Sequence, residues 1–430
     1  MIKEMFEDKK IIGVVGLGYV GLPLSTVFSK KYEVIGFDVD KSKIENYSKG
    51  IDVTNELEED TLKNSNIKFS SNPQDLSKAN FIIITVPTPI HKDESPDLSY
   101  VISATETVAS NMKEGTIIVY ESTVFPGATE EVCIPIIEEI TGFECGKEFS
   151  VGYSPERINP GKNSKDVSDI VKIVSGYDEE TTNIISEIYD SVLNNGIYRA
   201  PSIKVAEAAK ITENIQRDVN IALMNELSII FDKMDLDTNE IIDAAGTKWN
   251  FMKFRPGLVG GHCIGIDPYY LIYKSKKLNY SPRLLQTSRN VNEDIINQII
   301  KTILLTFIDN EVNIKKSNIL VLGITFKENC NDIRNSKIVE VIDELKDIGA
   351  NVTIYDPLAD AEEVKSFYDL ELSDDYEGEY DSIILGVSHD EFKDLTIDDI
   401  NRLSKNKPIL FDLKSLLKEL SKEDIVYWSL

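Results

Sequence analysis

Cys263 is the residue of this sequence whose type and surroundings best suit attack on a carbonyl carbon. It stands in the run Phe254 to Leu271, FRPGLVGGHCIGIDPYYL, behind Gly260, Gly261 and His262 and ahead of Gly265 and Asp267. Glycines this dense open backbone angles closed to other residues and let a substrate come close to the main chain. The thiolate is the attacking form, and a modest lowering of the thiol pKa exposes it. Asp267, four positions on, is spaced to orient or deprotonate a water near the sulfur. A buried structural cysteine in a Gly-rich turn is the competing reading, and for an isolated cysteine it would stand. The rest of the chain argues against it by supplying an oxidant, a basic residue and a second nucleotide-sized module.

Other groups could serve the same chemistry. Ser202 to about Met234 runs without Gly or Pro and reads as one amphipathic helix of roughly 45–50 Å. Lys210 and Asn214 lie four apart on it and project from one face. An ammonium and an amide so placed can stabilise charge developing on a substrate oxygen, the alternative being an exposed Lys/Asn pair. Glu156 and Arg157 follow the strand-like run FSVGYS (149–154), in the segment Pro155-Glu156-Arg157-Ile158-Asn159-Pro160-Gly161. A carboxylate and a guanidinium at a strand's C-terminal end suit a catalytic edge, and a surface ion pair before a turn fits the spacing nearly as well. Lys327 and Arg334, ahead of a helix N-terminus, suit phosphate contact.

The scaffold for these groups starts with KIIGVV (10–15), followed at once by Gly16-Leu17-Gly18-Tyr19-Val20-Gly21, a helix from Leu22 to Lys30, and a strand from Tyr32 to Phe37 ending on Asp38. Strand, Gly-rich turn, helix, strand and acid together form a dinucleotide fingerprint. The glycines make the tight turn, the helix N-terminus takes the pyrophosphate, and the acid takes the ribose 2′-hydroxyl, which favours NAD over NADP. Strands at 81–86 and 116–122 alternate with helices near 98–111 and 129–140, the pattern of a parallel sheet covered on both faces. The turns after those strands, Pro87-Thr88-Pro89 and Glu121-Ser122-Thr123, fall where doubly wound sheets place ligands. Short helices are expected over 236–253 and a longer one over 281–310. The chain then starts over with strands at 317–323, 350–357, 381–387 and 408–413, and helices at 336–348 and 360–368. Asp356 ends the second of these strands as Asp38 does in the first half, but the opening turn lacks GxGxxG, so this module is expected to bind a different phosphorylated ligand. The expected architecture is α/β: two Rossmann-like doubly wound domains, 1–201 and 313–430, joined by a long central helix and a helical dimerisation region, 202–312.

Across 430 residues, 46 Lys and Arg stand against 73 Asp and Glu, a formal charge of −27. That much negative charge opposes non-specific binding to nucleic acid or to anionic lipid. Cys133, Cys145, Cys263 and Cys330 lie far apart, with no CxxC and no histidine at metal spacing, and read as reduced thiols with no metal site. The sequence shows no apolar signal segment and no run of about 18 apolar residues, so a cytoplasmic protein with no membrane span is expected.

Together the motifs GLGYVG (16–21), VPTP (86–89), ESTVFPG (121–127), SPERINPG (154–161), EAAKITEN (207–214), GGHCIGIDP (260–268) and FKENCNDIRNS (326–336) resemble the UDP-glucose/GDP-mannose dehydrogenase family over essentially the whole chain. The resemblance implies an NAD domain and a nucleotide-sugar domain flanking a helical core that dimerises. It implies oxidation of a sugar C6 alcohol to a carboxylate by two hydride transfers to two NAD, with a thioester between. Carried over by residue, it implies Cys263 as nucleophile and Lys210 and Asn214 as oxyanion stabilisers. Asp267, Thr123 and Glu156 would serve the water and proton steps. Gly16, Gly18, Tyr19, Val20, Gly21, Asp38, Lys43, Pro87, Thr88, Ser122, Thr123 and Arg334 would hold the dinucleotide. Glu156, Arg157, Ile158, Asn159, Lys210, Asn214, Arg255, Gly257, Gly260 and Lys327 would hold the nucleotide sugar. Members acting on UDP-glucose typically read SCFPKD where this chain reads HCIGID (262–267). The His-Cys form, with NFMKFRPGLV (250–259) before it and PYYL (268–271) after it, is similar to the branch acting on UDP-N-acetylglucosamine or UDP-N-acetylgalactosamine, for surface polysaccharides. UDP-N-acetylmannosamine and UDP-glucose remain alternatives. Two further classes stay open: a simpler NAD-dependent hydroxyacid dehydrogenase, in which Cys263 would be dispensable, and an NAD-binding regulator that makes no NADH.

Overall fold

The apolar run IIGVV forms strand β1 (Ile11–Val15), buried from Ile12 onward as a strand covered on both faces must be. A computed structural model describes residues 10–54, 56–57, 60–157 and 167–430. The chain divides into two compact units, Met1–Glu213 with Tyr269–Ser281, and Asn214–Pro268 with Pro282–Leu430.

In the first unit, β2 (Glu33–Phe37), β3 (Ile67–Ser70), β4 (Phe81–Ile84), β5 (Thr116–Tyr120), β6 (Phe149–Tyr153), β7 (Lys172–Gly176) and β8 (Ile197–Arg199) join β1 in one sheet ordered β3-β2-β1-β4-β5-β6-β7-β8. The helices are α1 (Gly21–Ser29), α2 (Lys41–Ser48), α3 (Ser99–Ala109), α4 (Ile134–Thr141) and α5 (Glu179–Asp190). The order 3-2-1-4-5-6 is that of a dinucleotide fold, with its switch point between β1 and β4. The expectation of a wholly parallel sheet needs one correction, since β7 runs antiparallel to β6 and β8 runs parallel to β7. Strand direction leaves no mark on apolar alternation, and β3 and β8, of four and three residues and only partly buried, are too short to carry a pattern.

The expected long helix is α6 (Ile203–Asp232), 30 residues. Of the short helices expected over 236–253, only α7 (Thr238–Ala245) forms. Two further helices follow, α8 (Asp267–Lys277) and α9 (Arg283–Asp309). The second sheet takes β9 (Asn318–Leu322), β10 (Asn351–Tyr355), β11 (Ser382–Leu385), β12 (Ile409–Asp412) and β13 (Val426–Ser429) in the order β10-β9-β11-β12-β13, all parallel. Its helices are α10 (Ile338–Ile348), α11 (Ala361–Tyr368) and α12 (Ile397–Leu403). Alternate residues of β9 divide between two cores, as the two-residue period of a strand requires. Ile319 and Val321 pack with Ile299, Ile303 and Phe307 of α9 and Ile342 and Leu345 of α10, while Leu320 and Leu322 pack with Phe392, Ile400 and Leu403. This second sheet is also doubly wound, with its switch point between β9 and β11. Among the described residues, no helix is long and apolar enough to cross a membrane.

Candidate active site

The turn from β1 to α1 is built for a phosphate. Gly16 has φ +93°, and a Cβ on Gly21 would fall 1.9 Å from the Gly16 carbonyl oxygen and 2.4 Å from Thr85 Oγ1. At Gly18 a Cβ would meet nothing within 4 Å, so this backbone is open to a ligand at the helix N-terminus. Asp38 is buried at the end of β2, where Oδ2 accepts from Leu17 N at 2.8 Å and Oδ1 from Asp40 N at 2.9 Å. Asp40 caps α2, accepting from Ser42 N and Lys43 N. Tyr19 lies half-buried in the turn and Val20 is buried just ahead of α1. These residues fit a dinucleotide with its pyrophosphate at Gly18 and its ribose at Asp38.

Pro87, Thr88, Ser122 and Thr123 cluster at the C-terminal ends of β4 and β5. Ser122 Oγ donates to the Val86 carbonyl at 2.6 Å, and Tyr270 OH donates to the carbonyls of Thr88 and Pro89 at 2.9 and 3.1 Å. Beside them Lys210 Nζ lies 3.1 Å from Glu156 Oε2, with both residues buried. Arg157 reaches Glu213 at 2.7 Å and the Val171 carbonyl at 2.6 Å. Two successive ion pairs of opposite sense, Glu156 to Lys210 and Arg157 to Glu213, therefore set this turn in register on α6. Ile158 and Asn159 lie outside the described residues. Sequence reading passed over Lys172, whose Nζ bonds Glu121 Oε2 at 2.5 Å and the Pro155 carbonyl at 3.0 Å. Tyr189 OH occupies the other Glu121 oxygen, and all three side chains are buried.

Glu207, inside the EAAKITEN motif, accepts from Gly127 N and Thr129 N and so anchors the turn that follows Thr123. Burial pushes its pKa from 4.5 up to about 7, against those hydrogen bonds, which favour the ionised form. Between these two values the folded chain holds a proton that the unfolded chain has lost. This group's contribution to stability is therefore full below about pH 4.5 and is lost as pH rises through about 7. Glu207→Gln should remove that slope from the melting temperature between pH 5 and 8, and an unchanged slope would rule out Glu207 as its source.

In the second unit the glycines of the Cys263 loop are explained by close packing. A Cβ on Gly260 would sit 2.5 Å from the Asn335 carbonyl oxygen, and one on Gly261, at φ +79°, would sit 2.7 Å from the Phe326 ring. Gly261 N donates to that same carbonyl at 3.1 Å. The carbonyl of half-buried Cys263 accepts from Ile266 N and Asp267 N, a turn that starts α8. Buried Asp267 accepts from Asn214 Nδ2 at 2.6 Å, so the amide and the carboxylate are joined. Upstream, Asn225 holds the Gly257 backbone by both its N–H and its C=O, at 2.8 and 3.1 Å. Asn225 also donates to Asn292 Oδ1, and Asn292 donates to Asp218, which pairs with Arg289 at 2.5 Å. Every member of this chain is buried. Arg255 bonds Asp243 at 2.6 Å and Asn239, both on α7. Asp332, another residue the sequence did not flag, takes His262 at 3.3 Å and Arg334 through two nitrogens at 2.9 and 2.7 Å. Burial would raise its pKa, but the hydrogen bonds from His262 and Arg334 and the guanidinium charge hold it well below the usual carboxylate range. Lys327 extends over the Phe326 ring, 5.5 Å from its centroid.

Glu207, Lys210, Asn214, Asp218 and Asn225 fall within about 80° on a helix of 100° per residue, and all are buried. A polar stripe at helical spacing was the sequence signal that would have added Glu207, Asp218 and Asn225. The second sheet's Asp356 echoes Asp38: Ile324 N and Leu358 N donate to its two oxygens as Leu17 N and Asp40 N do to those of Asp38. Its oxygens accept from Ile324 N, Thr325 N, Leu358 N and Ala359 N and lie against His389, so it locks its own turn.

A dinucleotide cradle at one switch point, a second doubly wound sheet and a cysteine loop define an NAD-dependent dehydrogenase with a second nucleotide module. Residues 10–193, 204–294 and 320–419 match, in order, the NAD binding, central and UDP binding domains of the UDP-glucose/GDP-mannose dehydrogenase family. The chain belongs to that family and is an NAD-dependent UDP-sugar 6-dehydrogenase. It is 50% identical to Protein CapL of Staphylococcus aureus, over 94% of this chain and 96% of that one. It is 47% identical to a UDP-N-acetyl-D-glucosamine 6-dehydrogenase of Salmonella typhi, over 95% and 97%. Among solved structures, the UDP-D-ManNAc dehydrogenase of Pyrococcus horikoshii superposes with a TM-score of 0.89 at 29% identity, covering 97% of this chain and 98% of that one.

Proposed function

We propose that this chain oxidises the C6 alcohol of a UDP-N-acetylhexosamine, UDP-N-acetylglucosamine or its C4 epimer, to the uronic acid through a thioester on Cys263. The observation that carries the reading is the Cys263–Asp267 turn, with Asp267 tied to Asn214 one helical turn from Lys210. NAD, when bound, accepts a hydride from the substrate carbon at each of the two oxidations. The alcohol loses its proton to a basic group, and the resulting aldehyde is attacked by the Cys263 sulfur. The adduct's hydroxyl, held by Lys210 and Asn214, gives its proton to a basic group, and the oxygen's electron pair closes the C=O bond as the hydride leaves the carbon, giving a thioester. Water, directed by Asp267 with Thr123 and Glu156, then adds to the thioester carbon, and the C–S bond breaks to return the thiol and release the acid. Lys327 contacts the nucleotide sugar, and Arg334 contacts the dinucleotide phosphates. Residues 1–201 hold NAD, 202–312 carry the chemistry and a homodimer interface, and 313–430 hold the UDP-sugar. The preference for UDP-N-acetylglucosamine over its manno epimer is supported by UDP-N-acetyl-D-glucosamine 6-dehydrogenases at 47% and 45% identity, against 33% for UDP-N-acetyl-D-mannosamine dehydrogenases.

The test is a panel of UDP- and GDP-sugars assayed with NAD and with NADP by NADH or NADPH absorbance. UDP-N-acetylglucosamine or UDP-N-acetylgalactosamine with NAD should give the highest kcat/KM. A best rate with UDP-glucose or GDP-mannose would overturn the substrate reading, and equal rates with NADP would overturn the role of Asp38.

A further inference from the structure

We propose that His389 is a positioning residue for Lys327, a role resting on the reading of Lys327 as a nucleotide contact. Its place in the fold is the first reason. Lys327 lies on the loop after β9 and His389 on the loop after β11, the two strands that flank the switch point of the second sheet, where doubly wound sheets place their ligands. The two loops meet tightly, since a Cβ on Gly323 would fall 2.6 Å from the Val387 Cβ.

The second reason is the hydrogen bonding. His389 is fully buried. Its Nδ1 lies 3.0 Å from Asn329 N, whose single hydrogen makes the backbone the donor and the ring nitrogen the acceptor. Its Nε2 lies 3.0 Å from Thr325 Oγ1 and 3.1 Å from Asp356 Oδ2. Thr325 Oγ1 gives its own proton to the Lys327 carbonyl at 3.0 Å, so it accepts from the ring. This accounting leaves one tautomer: neutral, with the hydrogen on Nε2. Lys327 is thus bracketed, its carbonyl held through Thr325 and the amide two residues on held directly by His389. Asn329 stands at φ +55° and accepts from Asp390 N at 3.0 Å, closing the second loop onto the first.

Two amides separate the ring's two ends. The side chain of His389→Asn reaches only as far as Nδ1 and can still accept from Asn329 N, whereas His389→Gln reaches Nε2 and can still bond Thr325 and Asp356. UDP binding is measured by calorimetry for the native enzyme, both variants, His389→Phe and Lys327→Ala, alongside the KM for NAD and the melting temperature. His389→Gln and His389→Phe should weaken UDP by roughly tenfold, the worth of one hydrogen bond, with the NAD KM unchanged and His389→Asn near native. Native UDP affinity in His389→Gln and His389→Phe, beside weak binding in Lys327→Ala, would overturn the role of His389 alone. Affinity that falls in all three His389 variants in step with melting temperature would also overturn it, by showing a purely structural part. Unchanged binding in Lys327→Ala would overturn it together with the assignment of Lys327.

Discussion

Cys263→Ala should form no uronic acid, because nothing remains to trap the aldehyde as an adduct that can lose a second hydride. The native enzyme should release two NADH per UDP-sugar and no free aldehyde. Cys263→Ser is the more telling variant, because an oxygen nucleophile can still form the adduct and its ester hydrolyses slowly, stranding sugar on the protein. Intact-protein mass spectrometry with UDP-sugar and NAD would then show the added mass on Cys263→Ser and on neither the native chain nor Cys263→Ala. The half-buried cysteine in a turn whose carbonyl is capped by two backbone amides argues for a fixed sulfur position, and position is what covalent catalysis requires. A Cys263→Ala enzyme that still yields two NADH per sugar would remove the nucleophile from this mechanism and revive a simpler dehydrogenase.

The next largest effect is expected at Lys210, where two consequences must be separated. Removing one donor to a developing oxyanion costs about 10²–10³ in kcat, so Lys210→Ala should lose about that much without accumulating a covalent species. It also leaves Glu156, 8% exposed in the pair, as a buried carboxylate without this partner, which typically costs about 3–5 kcal/mol of stability. Lys210→Ala combined with Glu156→Gln should recover the melting temperature but none of the rate. A kcat within tenfold of native in Lys210→Ala would remove Lys210 from the chemistry and leave it as the partner that seats Glu156 on α6.

Local sequence determined much of this protein. The Gly16–Gly21 turn must be glycine because Gly21 approaches the Gly16 carbonyl too closely for a side chain, a constraint between near neighbours that leaves its mark as a motif. The length of α6 follows from its uninterrupted run, and the repeated strand–helix alternation defines both doubly wound sheets, since period and punctuation are properties of short windows. Cys263, Asp267, Lys210 and Asn214 were legible because they sit in or beside such windows. Tertiary structure alone decided what each polar group faces. Glu156 and Arg157 look alike as a dipeptide, yet one is buried against Lys210 and the other spans to Glu213. Asp356 copies Asp38 in sequence and in its backbone hydrogen bonds, yet it also lies against His389, 33 residues on. Lys172 and His389 carry no local signature, because their partners lie 17 to 64 residues away, and Asp332 joins the neighbouring Arg334 to His262, 70 residues back. Hydrogen bonds of that range depend on the packing of apolar faces, and no window of the sequence contains both ends.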